Sequence, residues 1–464
     1  MNLKYEAKNA WDIERSKNNI EDVMSYSKDY MQFLDKGKTE RTSAREIVNM
    51  AKENGYISLE EAIQKGKVNP GDKIYAVNKD KSVAMFVMGK KSLEEGMKVV
   101  GGHIDAPRID LKPNPLYQEA NLGLFKTHYY GGIKKYQWTA IPLSIYGVVI
   151  LNDGKKIDIC IGEDEEDPVF CITDLLVHLS GDQMQKKLSE GITGEGLNLL
   201  VGHMPLEGEE KETVAQNVLK ILNEKYNMVE EDFLSAEIEI VPSGRARHLG
   251  FDKSMVLAYG HDDRVCSYGA VKALIETTEP EYCAVALCVD KEEVGSQGNT
   301  GMHSKFFENT VAELIALEGN YCNLRVRRAM ANTKVLSADV SAGYDPNFPE
   351  VYDKRNSAYM GHGIVLSKYT GVRGKSGCND SNAEFMAEVR RIFNQGEVVW
   401  QTAELGKVDQ GGGGTIAYIL ANYGAEVIDC GVGVLNMHAP YEIVSKVDIY
   451  EMYKGYKAFF NINL

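Results

Sequence analysis

No run of apolar residues in this chain approaches membrane-spanning length. Its first residues, Met-Asn-Leu-Lys-Tyr-Glu-Ala-Lys, lack the apolar stretch of a signal peptide, so a cytoplasmic protein is expected. The eight cysteines (160, 171, 266, 283, 288, 322, 378 and 430) include no C-x-x-C pair, which argues against a thiolate zinc site and a disulfide frame. Several lie in apolar runs and read as reduced, mostly buried thiols. Positive charge is in deficit. Against 67 Asp and Glu there are 52 Lys and Arg, and the formal charge of −15 speaks against nucleic acid or an anionic membrane as partner. The H-E-x-x-H pattern of zincin proteases is missing, and no P-loop or G-x-G-x-x-G follows a strand-like run. What remains is an ordinary globular composition, 44% hydrophobic and 26% charged, in 464 residues, enough for two or three domains.

The most informative stretch is 283–301. Its unbroken apolar part, 283–289, reads as a strand buried on both faces, and it ends in Asp290, Glu292 and Glu293, followed by Gly295, Gly298 and Gly301. Ligands bind at the carboxyl ends of strands in open α/β sheets, so carboxylates placed there are candidates for chemistry. Taken alone, a Glu-Glu pair is more often a solvated strand-end turn, and it is the rest of the chain that reverses this.

Ahead of it, residues 1 to about 66 read as helices, with helical spacing of Val23, Tyr30, Phe33 and Leu34. Ser43 with Glu46 forms a capping-box pattern that Gly55 can close, and Ser58 with Glu61 repeats the device. Two short strand runs, 74–77 and 83–88, suggest a hairpin. A further buried-strand run, 97–102, ends in His103 and Asp105, spaced so that the carboxylate can hydrogen-bond one imidazole nitrogen while the other meets a metal. From 111 to 248 the grammar changes to short alternating runs with hairpin turns, the strongest at Asp153-Gly154, and a helical piece around 213–226. This reads as a β-rich domain inserted into the first, because buried-strand runs resume only after residue 250. There Asp262 stands at a strand-to-helix junction, where a carboxylate can cap the helix or bridge two cations. The strand run 334–338 ends in Asp339, and 425–429 leads through glycines to His438.

Five strand ends or junctions thus each present one or two residues from the set His, Asp and Glu. Two imidazoles with three carboxylates suit a pair of zinc ions sharing one carboxylate, with an open position for water. The motifs Gly102-His103-Ile104-Asp105-Ala106-Pro107, Asp262-Asp263-Arg264, Glu292-Glu293-Val294-Gly295, Ser337-Ala338-Asp339 and Met437-His438-Ala439-Pro440 resemble those of the aspartyl aminopeptidase family of zinc metallopeptidases, peptidase family eighteen, in its bacterial form. The likeness extends over nearly the whole chain, including the Thr39-Glu40-Arg41 helix start.

The resemblance implies an α/β fold: a mixed-sheet catalytic domain, residues 1–110 and 250–464, interrupted by an inserted β-rich dimerisation domain, 111–249. It implies a metalloaminopeptidase that removes single N-terminal residues from peptides using two zinc ions, replaceable by cobalt or manganese. His103 and Asp339 would hold one ion and Glu293 and His438 the other, with Asp262 bridging and Asp105 orienting His103. Glu292 would be the general base toward the attacking water, and the peptide after Asp262 would be cis. It also implies a homo-oligomer, a tetrahedral dodecamer, in which His178 in the Leu175-Leu176-Val177-His178-Leu179 segment reaches a neighbouring subunit's site as a catalytic residue. No nucleic acid or membrane partner is implied. Preference for an acidic first residue stays open, because the segment that carries the selecting lysine in relatives aligns ambiguously between Ser367 and Lys368; Lys375 is a further candidate. The Gly411–Gly414 run could cradle substrate backbone or act as a hinge. The alternatives are a related tetrahedral glutamyl or deblocking aminopeptidase, and a shell-forming scaffold without activity.

Overall fold

Alternation along the central strands explains how two layers of helix come to flank one sheet. In Cys283–Val289 every residue is buried; Ala284, Ala286 and Cys288 pack into one core, while Cys283, Val285, Leu287 and Val289 pack into another on the opposite face. The computed structural model describes residues 3–464 and separates into two units. One comprises the chain up to Ala106, Ala246–Met437 and Glu442–Leu464; the other comprises Pro107–Arg245 with His438–Tyr441.

The first unit is built on a nine-stranded sheet in the order Ile57–Ser58, Lys73–Asn78, Ser82–Val87, Cys283–Val289, Met97–His103, Lys334–Ser337, Glu426–Gly431, Ile364–Ser367, Trp400–Thr402. The four strands from Cys283–Val289 to Glu426–Gly431 are mutually parallel, and antiparallel neighbours flank them on both sides, which makes the sheet mixed. Helices Ile20–Lys36, Glu40–Glu53, His261–Ile275, Ala383–Gln395 and Lys446–Asn461 cover one face; Phe306–Glu318, Asn323–Ala331 and Ala417–Ala421 cover the other. The helix Lys446–Asn461 alone buries Ile449, Met452, Tyr456, Phe459 and Phe460, side chains worth roughly 1.5–3 kcal/mol each when fully buried. A smaller five-stranded sheet in this unit pairs Met255–Ala258 with Glu442–Ser445 in antiparallel register, Ala258 opposite Glu442.

The second unit is an antiparallel seven-stranded sheet, ordered Lys156–Ile161, Leu143–Ile150, Ala236–Pro242, Arg108–Glu119, Leu122–Tyr130, Leu199–Gly202, Cys171–Ile172, with the helix Thr213–Tyr226. Its Asp153-Gly154 turn joins two of these strands, with Gly154 at φ +84°. Between Ile172 and Leu199 regular structure is sparse, and Leu175, Leu176, Val177, Leu179, Met184 and Leu188 are exposed.

Local expectations met mixed outcomes. Ser58 and Glu61 form the expected reciprocal capping box. The cap assigned to Ser43 belongs instead to Thr39, whose hydroxyl accepts from the Thr42 amide; Ser43 lies inside Glu40–Glu53 and donates to the Gly37 carbonyl. All eight cysteines are free, but only Cys266, Cys283, Cys288 and Cys430 are buried, while Cys160 and Cys322 are exposed. Among the described residues no helix is long and apolar enough to cross a membrane.

Candidate metal centre

The parallel strands end together, and the polar residues that follow them meet. His103 closes the strand Met97–His103 opposite Val289, so the turn after Val289 emerges beside its imidazole. Asp339 lies just past Lys334–Ser337 on the other side, where Ser337 pairs with Gly101. Asp262 comes from the start of the helix His261–Ile275.

His103 is buried, with Nδ1 3.0 Å from the Asp105 carbonyl oxygen and 3.3 Å from its carboxylate. Nε2 faces Asp262 Oδ1, 3.2 Å away, and Glu292 Oε2, 3.8 Å away; with the proton on Nδ1, its lone pair would be free for a cation placed among them. The Asp105 carboxylate does a second job: its two oxygens accept from the Glu292 amide (3.1 Å) and the Glu293 amide (3.2 Å), pinning the turn that carries both glutamates. Two overlapping donor sets result, His103 with Asp262 and Glu293, and His103 with Glu292 and Asp339, each with ligand atoms within 4.8 Å of one another.

The electrostatics of this cluster call for positive charge. Burial first, then the charges of Glu292, Asp262 and Asp263, push the Asp339 carboxyl well above the ordinary carboxylate range. His103 goes the same way: burial opposes its charged form, but hydrogen bonds to Asp105 and Asp262 outweigh it and raise the imidazole well above its usual value. Oxygen and imidazole donors crowded together with excess negative charge fit divalent cations such as zinc.

Deeper residues hold the ligands in place. The wholly buried Arg264 donates Nε to Gly260 O (2.9 Å), Nη2 to Tyr259 O (2.8 Å) and Nη1 to the Gly37 carbonyl, tying the turn before Asp262 to the end of Ile20–Lys36. Gly260 must be glycine for this, because a Cβ there would lie 1.6 Å from Nη2 and φ is +68°. Glu442 accepts the Asp262 amide at 3.0 Å, and Tyr30 Oη meets His261 Nδ1 at 2.7 Å. The Asp262–Asp263 peptide is cis. Asp263 is buried against Gly102, where a Cβ would stand 2.4 Å from its Oδ2, and Ser267 donates to the His103 carbonyl at 2.9 Å. Asp290 is also buried, accepting from Thr300 Oγ1 at 2.6 Å; burial and then Glu40 raise its carboxyl to about 7. Arg264, Glu442, Ser267 and Tyr30 were not singled out from sequence for a role at the site. A charged residue inside an apolar stretch, as with Glu442 among Tyr441, Ile443 and Val444, is the signal that was available.

The remaining candidates fall elsewhere. His438 belongs to the second unit, stands in neither donor set, and meets the Gly132 carbonyl through Nδ1 at 2.9 Å. His178 is an exposed residue of the short turn Val177–Leu179 in that same unit. Lys368 and Lys375 share Asp380, at 2.6 and 2.8 Å. Following the register Gly101, Ser337, Asp429, Ser367, Lys368 lies three strands over and about three residues below His103, on the order of 17 Å away. The Gly411–Gly414 run packs on backbone of its own unit, with the Gly371 amide donating to the Gly413 carbonyl at 2.7 Å.

Comparison with known proteins adds a second line of observation. A sequence profile described as "Aminopeptidase I zinc metalloprotease (M18)" matches residues 33–460. A probable M18 family aminopeptidase 1 of Clostridium acetobutylicum is 55% identical over 458 residues, 98% of either chain. Its counterpart in Thermotoga maritima is 47% identical over 461 residues, 98% of this chain and 99% of the relative. The crystal structure of an M18-family aminopeptidase from Thermotoga maritima superposes with a TM-score of 0.94 at 46% identity, covering 99% of this chain and 100% of that one. A dodecamer from S. cerevisiae shares the fold at a TM-score of 0.76 and 22% identity, over 94% and 96% of the two chains.

Proposed function

This chain belongs to the aminopeptidase I family of zinc metalloproteases, M18, and from that premise we propose that it releases single N-terminal residues from peptides at a centre for two zinc ions. The observation that carries the reading is the convergence of His103, Asp262, Glu292, Glu293 and Asp339, drawn from four distant parts of the chain, in overlapping donor sets within 4.8 Å. His103 and Asp339 would hold one ion and Glu293 and His438 the other, with Asp262 shared between them; cobalt or manganese could replace zinc. Bound zinc supplies Lewis acidity that polarises a peptide carbonyl and eases loss of a proton from water.

Glu292 is the general base. It sits on the turn pinned by Asp105, takes a proton from the attacking water and returns it to the leaving amine. Asp105 orients His103 and at the same time sets the position of that base. A homo-oligomer is supported by the apolar residues exposed on the second unit between Ile172 and Leu199, with Val177 at 76%, and by the dodecamer formed by the yeast protein. In a tetrahedral dodecamer joined through this inserted unit, His178 of the partner subunit stabilises the developing oxyanion. An acidic first residue would need a cation beside the ligands. Because Lys368 and Lys375 are both engaged with Asp380, a neutral first residue is favoured.

A panel of aminoacyl reporter substrates with Asp, Glu, Leu and Lys in first position, run with zinc, cobalt and manganese, tests this. Cleavage fastest for Leu supports the neutral preference. Cleavage of Asp and Glu alone overturns that preference, and cleavage of none overturns the aminopeptidase reading.

A further inference from the structure

A cavity of about 340 Å³ opens in the first unit beside Trp400, on the last strand of the nine-stranded sheet. Trp400 lies four strands from Met97–His103, roughly 19 Å at ordinary strand spacing, so the cavity is separate from the metal centre. Its walls are fixed. The Trp400 indole N–H donates to Asn394 Oδ1 at 2.9 Å, and Tyr5 Oη donates to the Trp400 carbonyl at 3.3 Å, setting the two rings 6.1 Å apart between centroids. Buried Val398 contributes an apolar surface, and the arm carrying Tyr5 is tied at its far end where the Lys8 carbonyl accepts from His362 Nδ1 at 2.8 Å. Three cations line the same space: Lys8, Arg390 and Arg391. Among the described residues none of the three forms an ion pair, although the chain carries a net charge of −15.

Two other clefts of the first unit contrast with it. In one, Lys91 faces Glu281 at 3.1 Å and Lys334 faces Glu388 at 2.6 Å; in the other, Arg325 faces Glu94 at 3.1 Å and Glu318 at 2.8 Å. The Trp400 cavity combines two aromatic walls with three cations that, among the described residues, no carboxylate pairs. Guanidinium groups recognise anions bidentately, while the Tyr5 and Trp400 rings and Val398 lining the same cavity favour a flat apolar body. We propose that this cavity binds a small anion joined to an aromatic ring, an aryl phosphate or aryl carboxylate, independently of the peptidase centre.

The test uses the full-length, zinc-loaded protein titrated with phenyl phosphate, phenylacetate, neutral phenylacetamide and inorganic phosphate, followed by calorimetry and by Trp400 fluorescence against a Trp400→Phe control. Binding of phenyl phosphate or phenylacetate, with phenylacetamide and inorganic phosphate at least about tenfold weaker, is expected; which of the two anions wins identifies the source. The Arg390→Ala/Arg391→Ala double variant, altered only at exposed positions, should lose tenfold or more in affinity while peptidase turnover without added ligand is unchanged. The proposal is overturned if neither anion binds, if phenylacetamide binds equally well, or if binding survives unchanged in the double variant and so belongs to the metal centre. It is also overturned if that variant alters the assembled mass in light scattering, which would make the cations part of an interface between copies.

Discussion

Replacing Asp105 by asparagine perturbs orientation of the imidazole and placement of the base together, because one carboxylate serves both. Asp105 is 0% exposed, and its oxygens accept from two backbone amides at 3.1 and 3.2 Å while one of them lies 3.3 Å from His103 Nδ1. An asparagine of the same shape keeps one acceptor and turns the other into a donor. Whichever way the amide is turned, an NH2 group then faces a backbone N–H. The loss of one hydrogen bond to a charged acceptor costs about 1.5–3 kcal/mol, and residues that orient a metal ligand typically contribute 10–100-fold to metal affinity or activity. Asp105→Asn is therefore expected to weaken zinc binding and to lower kcat/KM by roughly 10–100-fold each. Zinc affinity is measured by competition with a chromophoric chelator, and kcat/KM on an aminoacyl reporter under zinc saturation. Changes of less than about twofold in both would refute the reasoning, since the geometry leaves the amide no arrangement that satisfies all three donors.

Glu292→Gln should reduce kcat by about 10²–10⁴ with the zinc content unchanged, read by turnover and elemental analysis on the same preparation. Gly102→Ala drives a Cβ to 2.4 Å from Asp263 Oδ2 and is expected to cost about 1–3 kcal/mol in unfolding free energy, checked by urea denaturation. Glu14 and Glu451 are both buried and both bind Lys454 Nζ, at 2.8 and 2.9 Å; burial, the main cause, and the Glu14 hydrogen bond bring Glu451 from 4.5 to about 7. Between those pH values the folded chain keeps a proton on Glu451 that the unfolded chain has released, so Glu451 taken by itself removes up to about 3 kcal/mol of stability as pH rises. Glu14 offsets part of this, because against burial its hydrogen bonds to Glu451 and Lys454 lower its carboxyl. Glu451→Gln should accordingly gain in Tm relative to the parent between pH 5 and 8, and a falling difference would reverse the sign of the argument.

Much of this arrangement could be read before any coordinates, for identifiable reasons. A strand such as Cys283–Val289 is apolar on both faces, so its course is written in a short continuous run and its end is marked by the first charge. Four of the strand ends named from sequence do supply side chains to one cluster. Legibility failed where a role depends on pairing across the fold. Glu442 reaches Asp262 only because its strand lies antiparallel to Met255–Ala258, a contact between residues 180 positions apart. The Ser43–Glu46 pattern matched a cap as well as Thr39 did, and Gly37, which engages Ser43, decided between them. Lys8, Arg390 and Arg391 are likewise unremarkable in sequence and meet only in three dimensions. Specificity was the least legible feature, since the lysines that could have explained it turn out to neutralise Asp380.

The account depends most on two cations sharing one pocket, and anomalous diffraction at the zinc edge from crystals of the zinc-loaded protein addresses that directly. Two peaks are expected, one bounded by His103 and Asp339 and the other by Glu293 and His438, with Asp262 between them and ligand distances of about 2.0–2.2 Å. A map with no peak at His103, or with its zinc held by residues outside this set, would contradict it.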